Sequence, residues 1–336
     1  MKEVRTRARE LMTGFCRVCP ICNGKACAGE VPGMGGLGTG ASFMNNVAAL
    51  AAVRFNMRLV HGAEAPDTST EVLGLKLALP VLAAPIGGVS FNMGGKITEQ
   101  EYVDAVIGGC AERGVVGCAG DGVPPFIHEN GFAAVKAFGG IPFVKPWEDK
   151  ELFEKLDKAA ATGATVIGMD IDAAGLVTLR LMGRPVGPKP VDKLRDVIGH
   201  VRAKFVLKGV MTPDDALRAV DAGAAGIVVS NHGGRVLDHT PGTAEVLPAI
   251  AAAVKGKTAI LVDGGVRTGG DVLKMLALGA DAVMIGRPFS IAAVGGLKDG
   301  VVQYIDQLKG ELAQAMILTG CARIADAGPQ ILFQSS

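Results

Sequence analysis

From about residue 80 onward the chain repeats one unit: a short apolar run, a glycine-rich or polar turn, and an amphipathic stretch that closes on glycine. The apolar runs fall at 81–84, 115–118, 142–144, 166–170, 205–208, 227–230, 259–263 and 282–285. Each is too short for a helix and most are rich in branched residues, so they read as strands. Helices start and stop between them at recognisable signals: TEQE at 98–101 before an apolar pattern ending at Gly114, TPDD at 212–215 before a stretch ending at Gly223, and a third stretch at 268–279. Alternation of strand and helix implies a parallel sheet, and eight such units suit a closed (β/α)8 TIM barrel better than an open doubly wound sheet. The segments AVDAGAAGIVV (219–229) and MLALGADAVMI (275–285) both run from a helix end through Gly-Ala into a strand, as a repeated unit should. Residues 1–79 do not keep this rhythm. They are expected to form a cysteine- and glycine-rich cover over one end of the 80–336 barrel, within one structural domain, since no linker separates the two.

Composition narrows the classes further. The 48 glycines among 336 residues are one in seven, roughly twice the usual usage of about 7%, without a Gly-X-Y period, so they mark tight turns rather than collagen. Lys and Arg number 34 against 33 Asp and Glu, a balance that offers nucleic acid no basic surface. The longest apolar stretches, such as 77–89, are broken by Pro80 and Pro85, so no membrane span is expected. The opening MKEVRTRARELM lacks the apolar region of a secretory signal, and seven cysteines, an odd number, fit a reducing compartment, so the expected location is cytoplasmic.

In a barrel of this kind, chemistry collects at the C-terminal strand ends. Polar residues fall there: Asp170 after the fourth strand, Lys208 after the fifth, SNHGGR (230–235) after the sixth, DGGVR (263–267) after the seventh and GRP (286–288) after the eighth. Singly, Asp170 or Lys208 could belong to a structural network; five polar ends in succession read as a site. The last two share a task. A glycine turn opening a helix at 263–272, with Arg267 and Arg287 on neighbouring strand ends, places backbone N–H groups and two guanidiniums where a phosphate binds, unless the glycines only make turns and the arginines are solvated.

With those motifs in view, VLKGV (206–210), SNHGGRVLD (230–238), DGGVRTGGDVLKMLALGA (263–280) and IGRP (285–288) resemble the FMN-dependent α-hydroxy acid dehydrogenase/oxidase family, which includes glycolate oxidase, lactate oxidase and flavocytochrome b2. The likeness continues upstream in DTSTEVLG (67–74) and LPVLAAP (79–85) and covers roughly residues 37–320. It implies FMN at the barrel mouth, with its ring system near Ala84, Pro85, Ile86 and Cys118, its reduced form stabilised by Lys208, and its phosphate held near Asp263 by Gly265, Arg267, Gly286 and Arg287. It implies His232 as general base, Asp170 as the carboxylate that orients that histidine, and Arg235 as the guanidinium that fixes a substrate carboxylate. It further implies a small-molecule carboxylate substrate, an electron acceptor that the sequence does not identify, and a homotetramer.

The departures bear on the substrate. Family members acting on small hydroxy acids use two active-site tyrosines; here the corresponding positions fall near Gly36 and at Val144 or Lys145, while the only tyrosines, Tyr102 and Tyr304, lie in predicted helices. A second substrate arginine is out of register, with Arg180 nearby. If Lys145 points inward it favours a substrate with an additional anionic group; otherwise it is a solvated loop lysine. His239 is expected to be exposed, and Asp121 and His128 either line the mouth or sit in a loop.

One feature lies outside the resemblance. Cys16, Cys19, Cys22 and Cys27 form C-x2-C-x2-C-x4-C, a spacing that can wrap zinc or an iron-sulfur cluster, serve a redox or disulfide role, or leave inert buried thiols. The glycine-rich stretch PGMGGLGTG (32–40) that follows is expected to be a flexible lid. The leading expectation is an FMN-dependent oxidoreductase that oxidises a 2-hydroxy carboxylate by hydride transfer, with His232 taking the other proton. The alternatives are an FMN-barrel isomerase or reductase, with chemistry like that of type 2 isopentenyl diphosphate isomerase, and a non-catalytic flavin-binding partner or sensor protein.

Overall fold

The computed structural model describes residues 1–184 and 186–333; the last three residues of the expected 80–336 barrel lie outside them. Eight parallel strands close into a barrel in sequence order: β1 (Val81–Ile86), β2 (Val116–Ala119), β3 (Ile141–Val144), β4 (Val166–Asp170), β5 (Lys204–Val210), β6 (Gly226–Val229), β7 (Ala259–Val262) and β8 (Ala282–Ile285), with β8 paired to β1. Every apolar run read as a strand is one, displaced by two residues at most.

Helix boundaries follow the capping chemistry. The Thr98 side chain accepts from the Glu101 N–H while Glu101 bonds back to the Thr98 N–H, starting the helix Glu99–Glu112. Thr212 and Thr268 accept from the N–H groups of Asp215 and Asp271 and start the helices Pro213–Asp221 and Gly269–Ala277.

Side chains on a strand alternate faces, so the barrel interior is built in layers two residues apart. The inner apolar plug comprises Leu82, Cys118, Ile141, Phe143, Val166, Val206, Val228, Leu261, Ala282 and Met284. Gly168 supplies no side chain because the Phe143 ring occupies its place. A hairpin of Thr70–Val72 and Leu75–Leu77 packs Val72 and Leu77 onto this plug, sealing the end away from the site.

The N-terminal helix Lys2–Leu11 lies on the long helix Arg287–Thr319, which kinks at Leu297; a Cβ at Gly295 would strike the Val4 carbonyl, so glycine there sets the close approach. At the opposite end, helix Ala41–Ala52 reaches the barrel mouth, where Asn46 exchanges side-chain hydrogen bonds with Asn231 at 2.7 and 3.2 Å. The stretch 32–40 departs from the expected flexible lid. Residues 33–36 are buried, Leu37 N–H donates to the Gly234 carbonyl at 2.8 Å, and a Cβ at Gly35 would collide with the Cys27 carbonyl. The glycines are there for close approach, and their carbonyls are used by the site below.

Candidate active site

Two residues beyond the plug, the same inward alternation places Ala84, Lys145, Lys208, Ser230, Asp263 and Gly286 in the next layer, with Asp170 at the end of β4. This polar layer underlies a cavity of about 310 Å3, the scale of small-molecule sites. Of the residues expected at the cofactor, Ala84, Pro85, Ile86, Lys208, Asp263, Gly265, Arg267, Gly286 and Arg287 line it, as do His232 and Arg235. Cys118 does not. It is buried among the side chains of the plug, so the expected contact of Cys118 with the cofactor is corrected: its burial keeps it out of the cavity.

The carboxylate assignment also changes. Asp170 stands in register with Lys208 on the next strand, and its Oδ1 lies 3.2 Å from the Lys208 Nζ. The residue that bonds His232 is Asp172, with Oδ1 3.0 Å from Nδ1. The reason is local: β4 stops at Asp170, and the 3-10 turn Ile171–Gly175 carries Asp172 one step above the layer, towards the loop after β6. A Cβ at Gly209 would strike the Asp172 side chain, so that glycine gives Asp172 its place.

His232 itself sits at φ +56°, a conformation uncommon outside glycine that marks a constrained position. The surrounding loop holds it: its N–H donates to Ser230 Oγ at 3.0 Å, Ser230 donates to Asp263 at 2.9 Å, and Gly234 N–H donates to the Asn231 side chain at 3.1 Å. Burial works against the Lys208 charge, but the carboxylates of Asp170, Asp172 and Asp263 outweigh it and hold its pKa well above the usual lysine value. For Asp172, burial raises the pKa while His232 and Lys208 lower it further, so the net shift is downward and the group stays ionised. Asp263 goes the other way, with burial exceeding the help from Lys208.

Three arginines converge at the β7–β8 side. Arg287 donates to the carbonyls of Met34, Gly35 and Gly233 at 2.7, 2.9 and 3.1 Å and lies over the Phe43 ring at 3.8 Å. Arg235 donates to Gly33 and Gly35 and to the Asn92 side chain. Arg267 donates to its own neighbour Val266 and to Cys22, while its Nε is buried without a partner. Among the described residues none of the three meets a carboxylate within ion-pair distance. Burial, with Arg235 and Arg267 alongside, pulls the Arg287 pKa down to about 9, and burial takes Arg235 to about 10, a measure of how poorly these charges are compensated. A phosphate dianion is the group this corner fits: it supplies the missing negative charge and an acceptor for the orphaned Nε. Gly265, at φ +84° and with no room for a Cβ beside the Asn46 carbonyl, brings the backbone close to that corner.

Other expectations resolve individually. Lys145 points inward, 8% exposed, with Nζ 4.0 Å from Asp170. Arg180 is exposed and does not line the cavity, and His239 is exposed as expected. Tyr102 and Tyr304 lie in helices away from the cavity; the Tyr304 hydroxyl donates to the Arg267 carbonyl at 3.0 Å. Asp121 lines the mouth as a buried hub, accepting from Gly122 N–H, Lys145 N–H, the Trp147 indole and the Lys155 ammonium, the last two at 2.6 Å. His128 is buried behind it, outside the cavity. The four N-terminal cysteines are half-buried and form no disulfide. Sequence reading missed Asp172 and the inward turn of Lys145, although the latter shares the parity of Ile141 and Phe143, which a strict two-residue count would have shown.

Comparison with known proteins agrees with this geometry. The profile described as FMN-dependent dehydrogenase matches residues 33–181 and 180–334. An L-lactate oxidase of Lacticaseibacillus rhamnosus (strain LMS2-1) is 35% identical, covering 85% of this chain and 84% of its own. A 4-hydroxymandelate oxidase of Amycolatopsis orientalis is 32% identical, with 87% and 90% covered. A crystal structure of mandelate oxidase superposes with a TM-score of 0.82 at 30% identity, covering 99% of this chain and 97% of that one. A closed eight-stranded barrel, a corner suited to phosphate and a match spanning nearly the whole chain together place this protein in the FMN-dependent dehydrogenase family, with FMN as its cofactor and flavin-linked oxidation as its class of chemistry.

Proposed function

We propose that this enzyme oxidises a 2-hydroxy carboxylate with an apolar side chain to the 2-oxo acid. The observation that carries the reading is the His232–Asp172 pair at 3.0 Å, on a cavity that Lys208 and Arg235 also line. Arg267, Arg287 and Gly265 would hold the phosphate of FMN, and Lys208, which lines the same cavity, would offer its charge to the reduced flavin. When bound, FMN supplies the acceptor for the hydride that leaves the substrate α-carbon. Asp172 fixes the proton of the imidazole on Nδ1, which leaves Nε2 as the basic nitrogen that takes the hydroxyl proton. As the imidazolium forms, the Asp172 carboxylate stabilises it. Arg235, half-buried and without a carboxylate partner among the described residues, binds the substrate carboxylate.

The side-chain preference follows from the rest of the lining: Phe91, Ile127, Leu176, Leu179, Leu181 and Met182 are apolar. Lys145 is the one further cation there, and Asp170 already offsets its charge, so the extra anionic group considered from sequence is not required. The relatives are hydroxy acid oxidases and lend no support to the isomerase or sensor readings. We further infer a homotetramer, on the family resemblance, and a cytoplasmic location, on seven cysteines that form no disulfide. No helix among the described residues is long and apolar enough to cross a membrane; light scattering tests the assembly.

The test is anaerobic mixing of the FMN-loaded protein with a panel of hydroxy acids, following flavin absorbance. Mandelate and 2-hydroxyisocaproate should bleach it, and malate should not. A flavin that stays oxidised with every acid refutes the reading; one that responds best to malate refutes the assigned side-chain preference.

A further inference from the structure

The N-terminal cysteine segment is not explained by the FMN chemistry, yet it is built into the site. Cys16, Cys19, Cys22 and Cys27 lie in a stretch whose only regular element is the 3-10 turn Lys25–Cys27. Despite that irregularity, the segment is tethered from both sides. From the N-terminal helix, Arg5 donates to the Cys19 carbonyl at 2.6 Å and Arg9 to the Val18 carbonyl at 3.0 Å; from the barrel, Arg267 donates to the Cys22 carbonyl at 3.3 Å.

Three contacts concern the sulfurs themselves. The Val18 N–H donates to Cys16 Sγ at 3.4 Å and the Arg267 guanidinium to Cys22 Sγ at 3.5 Å, while the Cys27 thiol donates to the Gly24 carbonyl at 3.9 Å. To donate that way Val18 takes φ +45°, a costly conformation for a β-branched residue, which the surroundings must hold in place.

Spacing separates the candidate ligands. One zinc ion with Zn–S of about 2.3 Å sets its four sulfurs about 3.8 Å apart. Among the described residues, no three of these sulfurs lie within 4.8 Å of one another. An iron-sulfur cube binds each thiolate to a different iron, so its sulfurs stand farther apart than those around a single ion, and three cysteines at successive intervals of three residues match its ligand run. Charge favours it too. A [4Fe–4S] core of charge +2 with four thiolates carries a net charge of −2, placed beside Arg267 and Arg287, which meet no protein carboxylate.

We propose that Cys16, Cys19, Cys22 and Cys27 hold a [4Fe–4S] cluster that pins residues 16–35 over the arginines at the phosphate end of the FMN site. The role assigned is structural. The carbonyls of Cys22, Gly33, Met34 and Gly35 are the acceptors that aim Arg267, Arg235 and Arg287, so fixing the segment fixes the three guanidiniums. The metal part stands apart from the substrate reading, and the pinning part rests on FMN being the cofactor.

The experiment is anaerobic purification of the full chain, with iron and acid-labile sulfide measured per chain and electron paramagnetic resonance recorded after dithionite. About four irons and four sulfides, with a signal from the reduced cluster, are expected. Cys22→Ser and Cys27→Ser should each lose most of the iron and release FMN on gel filtration at least about tenfold faster, whereas Cys321→Ser should keep both. One zinc per chain without iron, or metal-free protein whose four N-terminal thiols all alkylate under native anaerobic conditions, overturns the proposal. Loss of iron with FMN retention unchanged overturns the pinning role. If the serine variants fail to fold, the metal content of the unaltered chain still decides the first part, and removal of iron from it by a chelator decides the second.

Discussion

Replacing Asp172 by Asn separates the carboxylate that bonds His232 from Asp170, the one expected from the sequence. The pair stands at 3.0 Å, where unit charges at an effective dielectric constant of about 20 interact by about 5 kcal/mol. Asn keeps a neutral hydrogen bond, worth roughly 0.5–1.5 kcal/mol, so the net loss once the imidazolium forms is about 4 kcal/mol. That corresponds to about 1,000-fold in kcat, with KM nearly unchanged because the substrate contacts remain. Stopped-flow reduction of the flavin by the best hydroxy acid measures it directly. Asp170→Asn should behave differently, since its partner is Lys208 at 3.2 Å: it should shift the flavin potential and leave the rate of proton removal nearly unchanged. An Asp172→Asn enzyme within a few-fold of the parent, or an Asp170→Asn enzyme that loses that rate instead, refutes the assignment.

Arg287→Ala removes one of two guanidiniums at the phosphate corner; losing one charge-assisted contact, about 1.5–3 kcal/mol, should weaken FMN binding roughly 10- to 150-fold by titration of the apoprotein. Because that corner lacks carboxylates, inorganic phosphate at high concentration should raise the melting temperature of apoprotein, and the rise should vanish in Arg287→Ala. Asp121→Asn takes the nearer carboxylate, at 2.6 Å, from the buried Lys155 ammonium, which keeps Glu151 at 3.5 Å, and should cost about 1.5–3 kcal/mol in denaturant unfolding. Burial raises the Asp238 pKa, but donors from Thr39, His239 and Ser42 outweigh it and bring it down to about 2. A depressed folded-state value means stability present above the unfolded value of about 3.9 and lost as pH falls towards 2, so Asp238→Asn should flatten the acid limb of the unfolding curve there.

How far each of these residues could be foreseen depended on whether its partners are near in sequence. The strands were legible because each is a self-contained apolar run between turn signals, and the capping threonines announce their helices within four residues. The phosphate corner was legible because Gly265, Arg267, Gly286 and Arg287 lie on adjacent strand ends. Asp172 was not: it and Asp170 share parity and differ by two positions, so only knowing where β4 yields to the 3-10 turn tells them apart. Asp121 was not either, since its partners Lys145, Trp147 and Lys155 come from another βα unit. The glycine-rich stretch misled for a different reason. Glycine's entropy argues for mobility only when nothing binds the backbone it exposes, and here two arginines from distant strand ends, Arg235 and Arg287, bind it.

That last point bears on where such an enzyme can change. The barrel supplies the proposed base His232, its partner Asp172 and Lys208 from the ends of strands whose spacing is fixed by the plug beneath them. The guanidiniums, by contrast, have long side chains that reach their positions through carbonyls of residues 22–35, outside the barrel strands. Any alteration in how that segment is fixed is therefore transmitted to cofactor retention and substrate orientation while the acid–base pair stays in place. Chemistry and grip are held by different parts of the chain, and the two can be perturbed separately: changes in the segment should appear in FMN affinity and KM, changes at Asp172 in kcat.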